Sequence, residues 1–270
     1  MTAAARVRAL RRSGRGGAAV ELVPTVVVFV GVIVAWQMIV VGLGVQRFLL
    51  PAPLDILAAF SADADQLGQA VGATLFEAVG GLVIGVAVGI VVAVLTARWR
   101  TGRRAIMPFA VMASAVPTIA VAPIMNNWLG SENPASKMAI VALLVFFPTV
   151  LNVVRGLTSV DPMLLEYMRS LGASERLIFL KVRVPNATPH FFTALRIATP
   201  LSLIGAIVAE YFGGPELVLG VWILDKAALF LFADAWAAIA VACGAGIGLY
   251  LLVVGAEWVA MPWARGRARR

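Results

Sequence analysis

Few side chains in this sequence are arranged for catalysis. The only cysteine, Cys243, and the only histidine, His190, lie in apolar stretches, so no intramolecular disulfide is possible and no second ligand accompanies the histidine. We interpret Cys243 as a packing residue and His190 as a side chain at a membrane interface. The sequence contains no G-x-x-x-x-G-K-[ST] phosphate loop and no nucleophile–base pair. It therefore predicts a chain that is not an enzyme and that has no catalytic residues, metal or cofactor of its own.

Glu77 and Glu210 are the charged residues that lie deepest in apolar sequence. A carboxylate within a membrane is costly and raises the question of a function. Both are expected near the outer ends of their helices, and three interpretations stay open: snorkelling or interhelical hydrogen bonding, the lining of a substrate pathway, or a proton relay. Asparagines are further candidates for the pathway, with Asn126 and Asn127 beside its mouth and Asn152 near the inner end of a span.

The composition explains why charge is sparse. Hydrophobic residues make up 61% of the 270 residues and charged residues 13%, and the mean hydropathy is +0.94. In a typical soluble domain about 45–50% of the residues are apolar and about 25% are charged. Because about 20 apolar residues cross a hydrocarbon core of about 30 Å, six helical spans are predicted, at about 22–43, 72–97, 105–128, 136–156, 188–212 and 233–257. The fold class is thus an all-α integral membrane protein with one transmembrane domain, residues 1–270.

The third span contains Pro117 and Pro123 and is expected to be kinked or broken. The outer segment 48–67 starts with a Pro-rich turn and then reads as an amphipathic helix, which is expected along the outer membrane surface or over the top of the bundle. Segment 213–232 opens with Gly-Gly-Pro and is too interrupted to span, so it is expected to form an external lid or a short re-entrant piece.

Small residues indicate how the spans pack. The second span has glycines at i, i+4 and i+8, and the sixth repeats the spacing once (Gly81, Gly85 and Gly89; Gly244 and Gly248). Small residues allow helix backbones to approach closely in a membrane. These positions predict helix–helix contacts within the bundle or between two subunits.

The distribution of basic residues predicts how the chain is oriented in the membrane. With the N-terminus inside, the cytoplasm receives 19 of the 22 Lys and Arg, in the basic N-terminus 1–21, the loop 157–187, the tail 259–270 and shorter segments. The outer side receives only Arg47, Lys137 and Lys226. Because cytoplasmic loops carry the excess of positive charge, both termini are expected in the cytoplasm. No aromatic-interleaved basic face is present, so nucleic acid is not expected as a partner.

The loop 157–187 contains signals for two short helices. Asp161, followed by proline, is a start signal, and Gly172 is a stop signal. Ser174 can cap a second helix that ends near Lys181, with Pro185 closing it. Apolar residues recur at helical spacing in the first helix (Met163, Leu164, Tyr167, Met168 and Leu171). Two capped helices with an apolar face suit insertion into a groove of a partner protein.

On these residues the chain resembles the permease subunits of bacterial binding-protein-dependent ABC importers. Their signature loop reads E-A-A, three residues, Gly, nine residues, I-x-L-P. Here Glu166-Tyr167-Met168 is followed after three residues by Gly172, and after nine more by Val182-Arg183-Val184-Pro185. Tyr and Met replace the two alanines, and Val replaces Ile and Leu. Segments 47–60, 108–130, 154–174 and 193–214 resemble the branch that imports sulfonates, taurine, nitrate and thiamine-precursor pyrimidines.

The resemblance implies a division of labour in the bacterial plasma (inner) membrane. Two copies of the permease would form the pathway among the lipids, two ATPase subunits would bind ATP and Mg beneath them, and an external substrate-binding protein would deliver the solute. The loop would insert into the ATPase cleft. The residues implied in coupling are Glu166, Tyr167, Met168, Leu171, Gly172, Ala173 and Pro185.

Two other functions remain as alternatives, a secondary transporter or channel and a structural membrane subunit of a larger enzyme. The first would need ionisable residues at the membrane midplane or discontinuous paired helices, and neither is evident. The spans offer no cluster of arginines for a strongly anionic cargo. This favours a pyrimidine or flavin-like heterocycle as substrate, with sulfonate, taurine or nitrate as the alternative.

Overall fold

A computed structural model describes residues 17–98 and 118–262, together with Pro108 and Met112. These residues form helices and no strands, so the predicted all-α class is confirmed. The helices are α1 (Gly17–Gly42), α2 (Pro53–Ala62), α3 (Ala64–Arg98), α4 (Ala122–Leu129), α5 (Pro134–Thr158), α6 (Pro162–Ser170), α7 (Glu175–Ile178), α8 (Val184–Glu210), α9 (Leu219–Ala228) and α10 (Phe232–Ala260). A 3₁₀ turn, Thr118–Val121, precedes α4, and a π-helical turn, Phe179–Arg183, joins α7 to α8.

Five helices in the described part are long and apolar enough to cross a membrane. They are Val23–Gly42, Ala64–Arg98, Pro134–Thr158, Glu175–Glu210 and Phe232–Ala260, and they match the first, second, fourth, fifth and sixth predicted spans. Most of the predicted third span, with Pro117, lies outside the described residues. The described end of this span is a 3₁₀ turn that leads directly into α4, and the expected kink or break stays a prediction.

Helix α5 lies at the centre of the bundle, packed along its length against α3 and α8. The glycines of α3 make this close approach possible. A Cβ on Gly81 would lie 2.5 Å from Val141 Cβ, and one on Gly89 would lie 2.9 Å from Thr149 Cβ. The predicted glycine contact is therefore confirmed within the chain.

The glycines of α10 have a different environment. A Cβ on Gly244 or Gly248 would meet nothing within 4 Å. Neither glycine faces another described helix of this chain, and a contact with a second subunit stays a prediction. Cys243, interpreted from the sequence as a packing residue, is exposed in this chain.

Two predicted boundaries were wrong. Segment 48–67 is not one helix, since Asp63 separates α2 from α3, and α3 begins at Ala64 instead of 72. The short second helix of the 157–187 loop does not end at Pro185 either, because the chain stays helical from Glu175 to Glu210. Pro185 lies in the first turn of α8, where a missing N–H and a fixed φ are tolerated. The π turn before it provides a continuous connection.

Candidate functional site

Helices α6 and α7, with the turn between them, form a compact unit at one end of the bundle, here called the α6–α7 element (residues 161–178). Asp161 Oδ1 accepts a hydrogen bond from Met163 N at 2.9 Å, and Ser174 Oγ accepts one from Leu177 N at 3.3 Å. Gly172 has a φ of +73°, the left-handed conformation that favours glycine. The two predicted caps and the predicted stop are therefore confirmed.

The apolar face of α6 points away from the bundle. Met163, Tyr167 and Leu171 are 76%, 59% and 65% exposed. Glu166 and Pro185 are also exposed, whereas Met168 and Ala173 are half-buried. A contiguous exposed apolar surface of this kind is typical of an interaction site. Helix α6 itself buries no residue, so its apolar face is unused within this chain.

Hydrogen bonds tie this element to the central helices. Just beyond it, Asn186 Nδ2 donates to Gly156 O at 2.8 Å and to Ser159 Oγ at 3.2 Å. Arg183 Nη1 donates to Leu157 O at 3.4 Å. These bonds connect the start of α8 with the end of α5, on both sides of the element. The segments that enter and leave the element are therefore bonded to each other at the ends of α5 and α8.

Three ionisable side chains are buried together at the opposite end of the bundle, here called the buried charge cluster. Glu77 of α3, Lys137 of α5 and Glu210 of α8 are 2%, 0% and 0% exposed. The two glutamates interact electrostatically with each other and with Lys137. Its ammonium group also donates to the carbonyl of Ser131. The cluster thus joins three membrane helices through polar groups that are removed from solvent.

Helix α9 is anchored to the same cluster. Gly220 N donates to Glu210 Oε2 at 2.6 Å, and Leu219 N donates to Thr74 Oγ1 at 3.0 Å. Residues of α3 and α8 therefore cap the first turn of α9, where backbone N–H groups lack partners in the helix. Trp222 buries its ring in the adjoining core. Within segment 213–232, α9 is packed into the bundle, and its ten residues are too few to span a membrane.

Burial decides part of the interpretation of Glu77 and Glu210. Neither carboxylate reaches the surface of the chain, which excludes snorkelling, and for Glu210 the structure shows interhelical hydrogen bonding, with Gly220 N as the donor. Glu77 Oε2 and Glu210 Oε1 have no hydrogen-bond donor among the described residues. A role of either residue in a pathway stays a prediction.

The asparagines are placed in three different ways. Asn126 is buried and its Nδ2 donates to Phe212 O at 3.1 Å. Asn152 Nδ2 donates to Pro148 O of its own helix at 2.8 Å, and Asn127 is exposed. The structure does not bring the three together. Asn127 alone is free to face a solute in the described chain, and the part of all three in transport stays a prediction.

Sequence reasoning missed Lys137, which it placed in an outer loop. Helix α5 begins at Pro134, and Asn133 Oδ1 caps it by accepting a bond from Ala135 N at 2.9 Å. Lys137 therefore lies in the first turn of a membrane helix. The Asn-Pro start signal before it was readable in the sequence, and it would have moved the predicted start of the span from 136 to 134 and the lysine one turn into the helix.

The fold and these two regions define a multi-pass α-helical membrane protein with an exposed apolar element at one end. The chain belongs to a family of transport proteins: residues 85–260 match the family model described as "Binding-protein-dependent transport system inner membrane component". The prediction of an ABC importer permease is thereby confirmed, and the secondary transporter and the structural subunit of another enzyme are set aside.

Several relatives are similar over most of their length. The formylaminopyrimidine transport permease protein ThiX of Halalkalibacterium halodurans is 34% identical over 70% of this chain and 75% of the relative. The riboflavin transport system permease protein RibX of Chloroflexus aurantiacus is 30% identical, over 67% of this chain and 68% of its own. SsuC of Bacillus subtilis, a putative aliphatic sulfonates transport permease protein, is 29% identical over 72% of this chain and 70% of the relative. These names cover three substrate classes, so similarity alone does not decide the substrate.

Proposed function

We propose that two copies of this chain form the translocation pathway of an ATP-driven importer and that the α6–α7 element docks each copy onto a separate ATPase subunit. The observation that carries this proposal is the exposed apolar face of α6, capped at its start and ended by the left-handed Gly172. The element buries none of this face itself. Binding of a partner that covers this face would be stabilised by the burial of apolar surface that is exposed in the isolated chain.

The mechanism follows from how the element is held. Nucleotide-driven closure in the ATPase subunits, which bind ATP and Mg, would move α6. The bonds of Asn186 and Arg183 to the end of α5 would carry that movement into α5 and α8. At the other end, the buried charge cluster holds α3, α5, α8 and α9 together. These four helices would then tilt as one unit, which opens the pathway to one side at a time.

Orientation and assembly complete the proposal. The distribution of basic residues supports a cytoplasmic position for the α6–α7 element and for both termini, in the plasma membrane. The open face of α10 around Gly244 and Gly248 supports a second copy as a neighbour. An external binding protein would deliver the solute to the opposite side, next to α9.

For the substrate we propose a neutral or weakly charged heterocycle of the pyrimidine or flavin type. Arg196 lies inside the fifth span, but it is paired with Glu257 of α10. Lys137 is buried and directed at Ser131 and the two glutamates. Neither cation is available to a sulfonate, which an anion carrier would be expected to recognise with a free basic group. The alternative, an aliphatic sulfonate, has the support of the similarity to SsuC.

Docking is tested by co-purification of the ATPase subunits with variants of α6. Leu171→Asp introduces a charge into the apolar face, and we expect at least a tenfold loss of bound ATPase, since interface anchors dominate binding. Leu229→Asp is a matched control, because Leu229 is 66% exposed and lies at the opposite end, beside α9. Undiminished ATPase binding by Leu171→Asp would refute the docking role of α6.

The substrate is tested by uptake into cells that express the complete importer, compared with cells that lack this chain. Labelled aminopyrimidine, riboflavin and an alkanesulfonate are the three probes. Uptake of one of the heterocycles, dependent on this chain, is expected. Chain-dependent uptake of the alkanesulfonate alone would overturn the substrate proposal and leave the docking proposal intact.

A further inference from the structure

A cavity of about 380 Å³ opens where the end of α3 meets α7 and the π turn. Its lining has two parts. Val94, Ala97 and Phe179 are apolar, and Arg98, Arg176 and Arg183 contribute guanidinium groups, with Glu175 as the one acidic residue. A cavity that is apolar on one part and cationic on the other is suited to an amphipathic anion.

The positive charge of this cavity is largely uncompensated. Glu175 forms an ion pair with Arg169, which does not line the cavity, at 3.0 Å. Arg183 donates to the carbonyl of Leu157 and keeps its net charge. Arg98 and Arg176 have no ion-pair partner in the described part of the chain. The sequence from 99 to 117 that follows adds three more arginines and no acidic residue, so it cannot neutralise them.

The position of the cavity in the membrane restricts what can enter it. Arg98 is the last residue of α3, a membrane span, and Val94 lies one turn deeper. The sequence predicts that the membrane-spanning part of this helix ends at about residue 97, which would put the guanidinium groups at the level of lipid headgroups and the apolar lining beside the acyl chains. The basic-residue distribution assigns this end to the cytoplasmic leaflet, where basic pockets between membrane helices bind anionic headgroups.

We infer that this cavity binds the phosphate of an anionic phospholipid from the inner leaflet. Arg98 and Arg176 would pair with the phosphate oxygens, since guanidinium matches phosphate geometry with two parallel hydrogen bonds. The acyl chains would lie on Val94, Ala97 and Phe179. The apolar lining favours a lipid over free phosphate, which has no group to cover it. Such a lipid would join α3 to the α6–α7 element, across a gap that no described side chain bridges with an ion pair.

The experiment measures lipid binding to the purified full-length chain in detergent by native mass spectrometry. Phosphatidylglycerol and phosphatidylcholine are titrated separately, and inorganic phosphate is added as a competitor. The variants are Arg98→Gln, Arg176→Gln and the double variant. Arg155→Gln is the control, because Arg155 is an exposed arginine at the same end that does not line the cavity. Unchanged phosphatidylcholine binding and thermal stability verify that each variant is folded.

We expect phosphatidylglycerol to bind at least tenfold more tightly than phosphatidylcholine. Each single variant should weaken the affinity for phosphatidylglycerol about fivefold, the usual contribution of one basic side chain at an anionic surface. The affinity of Arg155→Gln should stay within twofold of that of the unsubstituted chain. Glu175→Gln should strengthen binding, because it removes the only negative charge of the lining.

Three results would overturn the inference. The first is a double variant that binds phosphatidylglycerol as tightly as the unsubstituted chain. The second is displacement of the lipid by inorganic phosphate at equal concentration, which would indicate a soluble phosphate ligand. The third is displacement by the ATPase subunits when the complex is assembled, which would reassign the arginines to protein docking. Retention of the lipid in the complex supports the inference, whether or not the docking proposal is correct.

Discussion

The buried charge cluster and the α6–α7 element, at opposite ends of the same helices, reverse the usual placement of polar and apolar groups. Glu77, Lys137 and Glu210 are inside the protein, whereas Met163 and Leu171 are outside. A buried charge and an exposed apolar side chain both cost free energy, unless a polar partner compensates for the first or a contact buries the second. In the cluster, the compensating groups are within the chain, namely the carbonyl of Ser131 and the amide of Gly220.

For the α6–α7 element no compensating group is present in the described chain. Most of its apolar face is exposed, and local signals specify its shape: two caps, one left-handed glycine and the Arg169–Glu175 ion pair. The comparison indicates that one end of the bundle finds compensating groups for its buried charges within the chain, although Glu77 Oε2 and Glu210 Oε1 lack a donor among the described residues, whereas the other end leaves its apolar face exposed. It also makes the two ends respond differently to substitution.

The largest effect is expected in the cluster. Lys137→Met preserves the shape of the side chain but leaves two buried carboxyl groups without their cation, which should lower the free energy of unfolding by about 3 kcal/mol, more than a hundredfold in the folding equilibrium. An unfolding titration in mixed micelles measures it. Lys181→Met is the matched control, because Lys181 is exposed.

A second substitution tests the cause of that loss. Adding Glu77→Gln to Lys137→Met removes one of the two carboxylates that interact with the lysine, and it should restore at least half of the lost stability. If Lys137→Met unfolds like Lys181→Met, the lysine does not compensate for the carboxylates, and the first half of the comparison fails.

A smaller loss is expected where the cluster holds α9. Thr74→Val removes the acceptor of the Leu219 N–H and leaves that buried donor unpaired, at a cost of about 2 kcal/mol. Thr149→Val is the control, since Thr149 is equally buried but its hydroxyl bonds to Val145 O within its own helix. The same unfolding titration compares the two variants. Equal losses of stability would show that the hydrogen bond between α3 and α9 contributes no more than a bond within one helix.

The two ends also differ in how much of them the sequence predicts. Asp161, Gly172 and Ser174 were identified correctly because caps and helix stops depend on residues within one turn. Gly81 and its repeats were identified because small residues at a spacing of four are a local pattern as well. Such signals need no knowledge of which helices are neighbours.

The cluster could not be predicted in the same way. Lys137 is 60 residues from Glu77 and 73 from Glu210 in the sequence, and only the packing of α3, α5 and α8 brings the three together. Pro185 shows the opposite error, a local signal that was given too much weight. A proline usually follows a helix end, but here it starts α8, and the π turn before it keeps the helix continuous.

At the α6–α7 element, a substitution should impair transport and leave the bundle stable. In Gly172→Arg a bulky residue would occupy a left-handed position, and no described residue lies within 4 Å of a Cβ placed there. We expect at least a tenfold loss of ATP-driven uptake with an unchanged unfolding titration, because only the partner cleft is affected. Gly172→Asn, which tolerates a positive φ, should keep most of the uptake. Uptake by Gly172→Arg at the level of the unsubstituted chain would rule out the assigned role of Gly172.

The smallest effect compares one helix cap at each end. Asp161 Oδ1 and Asn133 Oδ1 each accept a 2.9 Å bond from the amide two residues later. Loss of a cap costs about 1 kcal/mol, or about fivefold in local opening. Asp161→Ala should therefore raise hydrogen exchange across α6 about fivefold, because this nine-residue helix buries no side chain. Asn133→Ala should change exchange in α5 much less, because α3 and α8 pack along it. Equal effects in the two helices would mean that the packing of α5 does not substitute for its cap, and the contrast between the two ends would then not extend to their local stability.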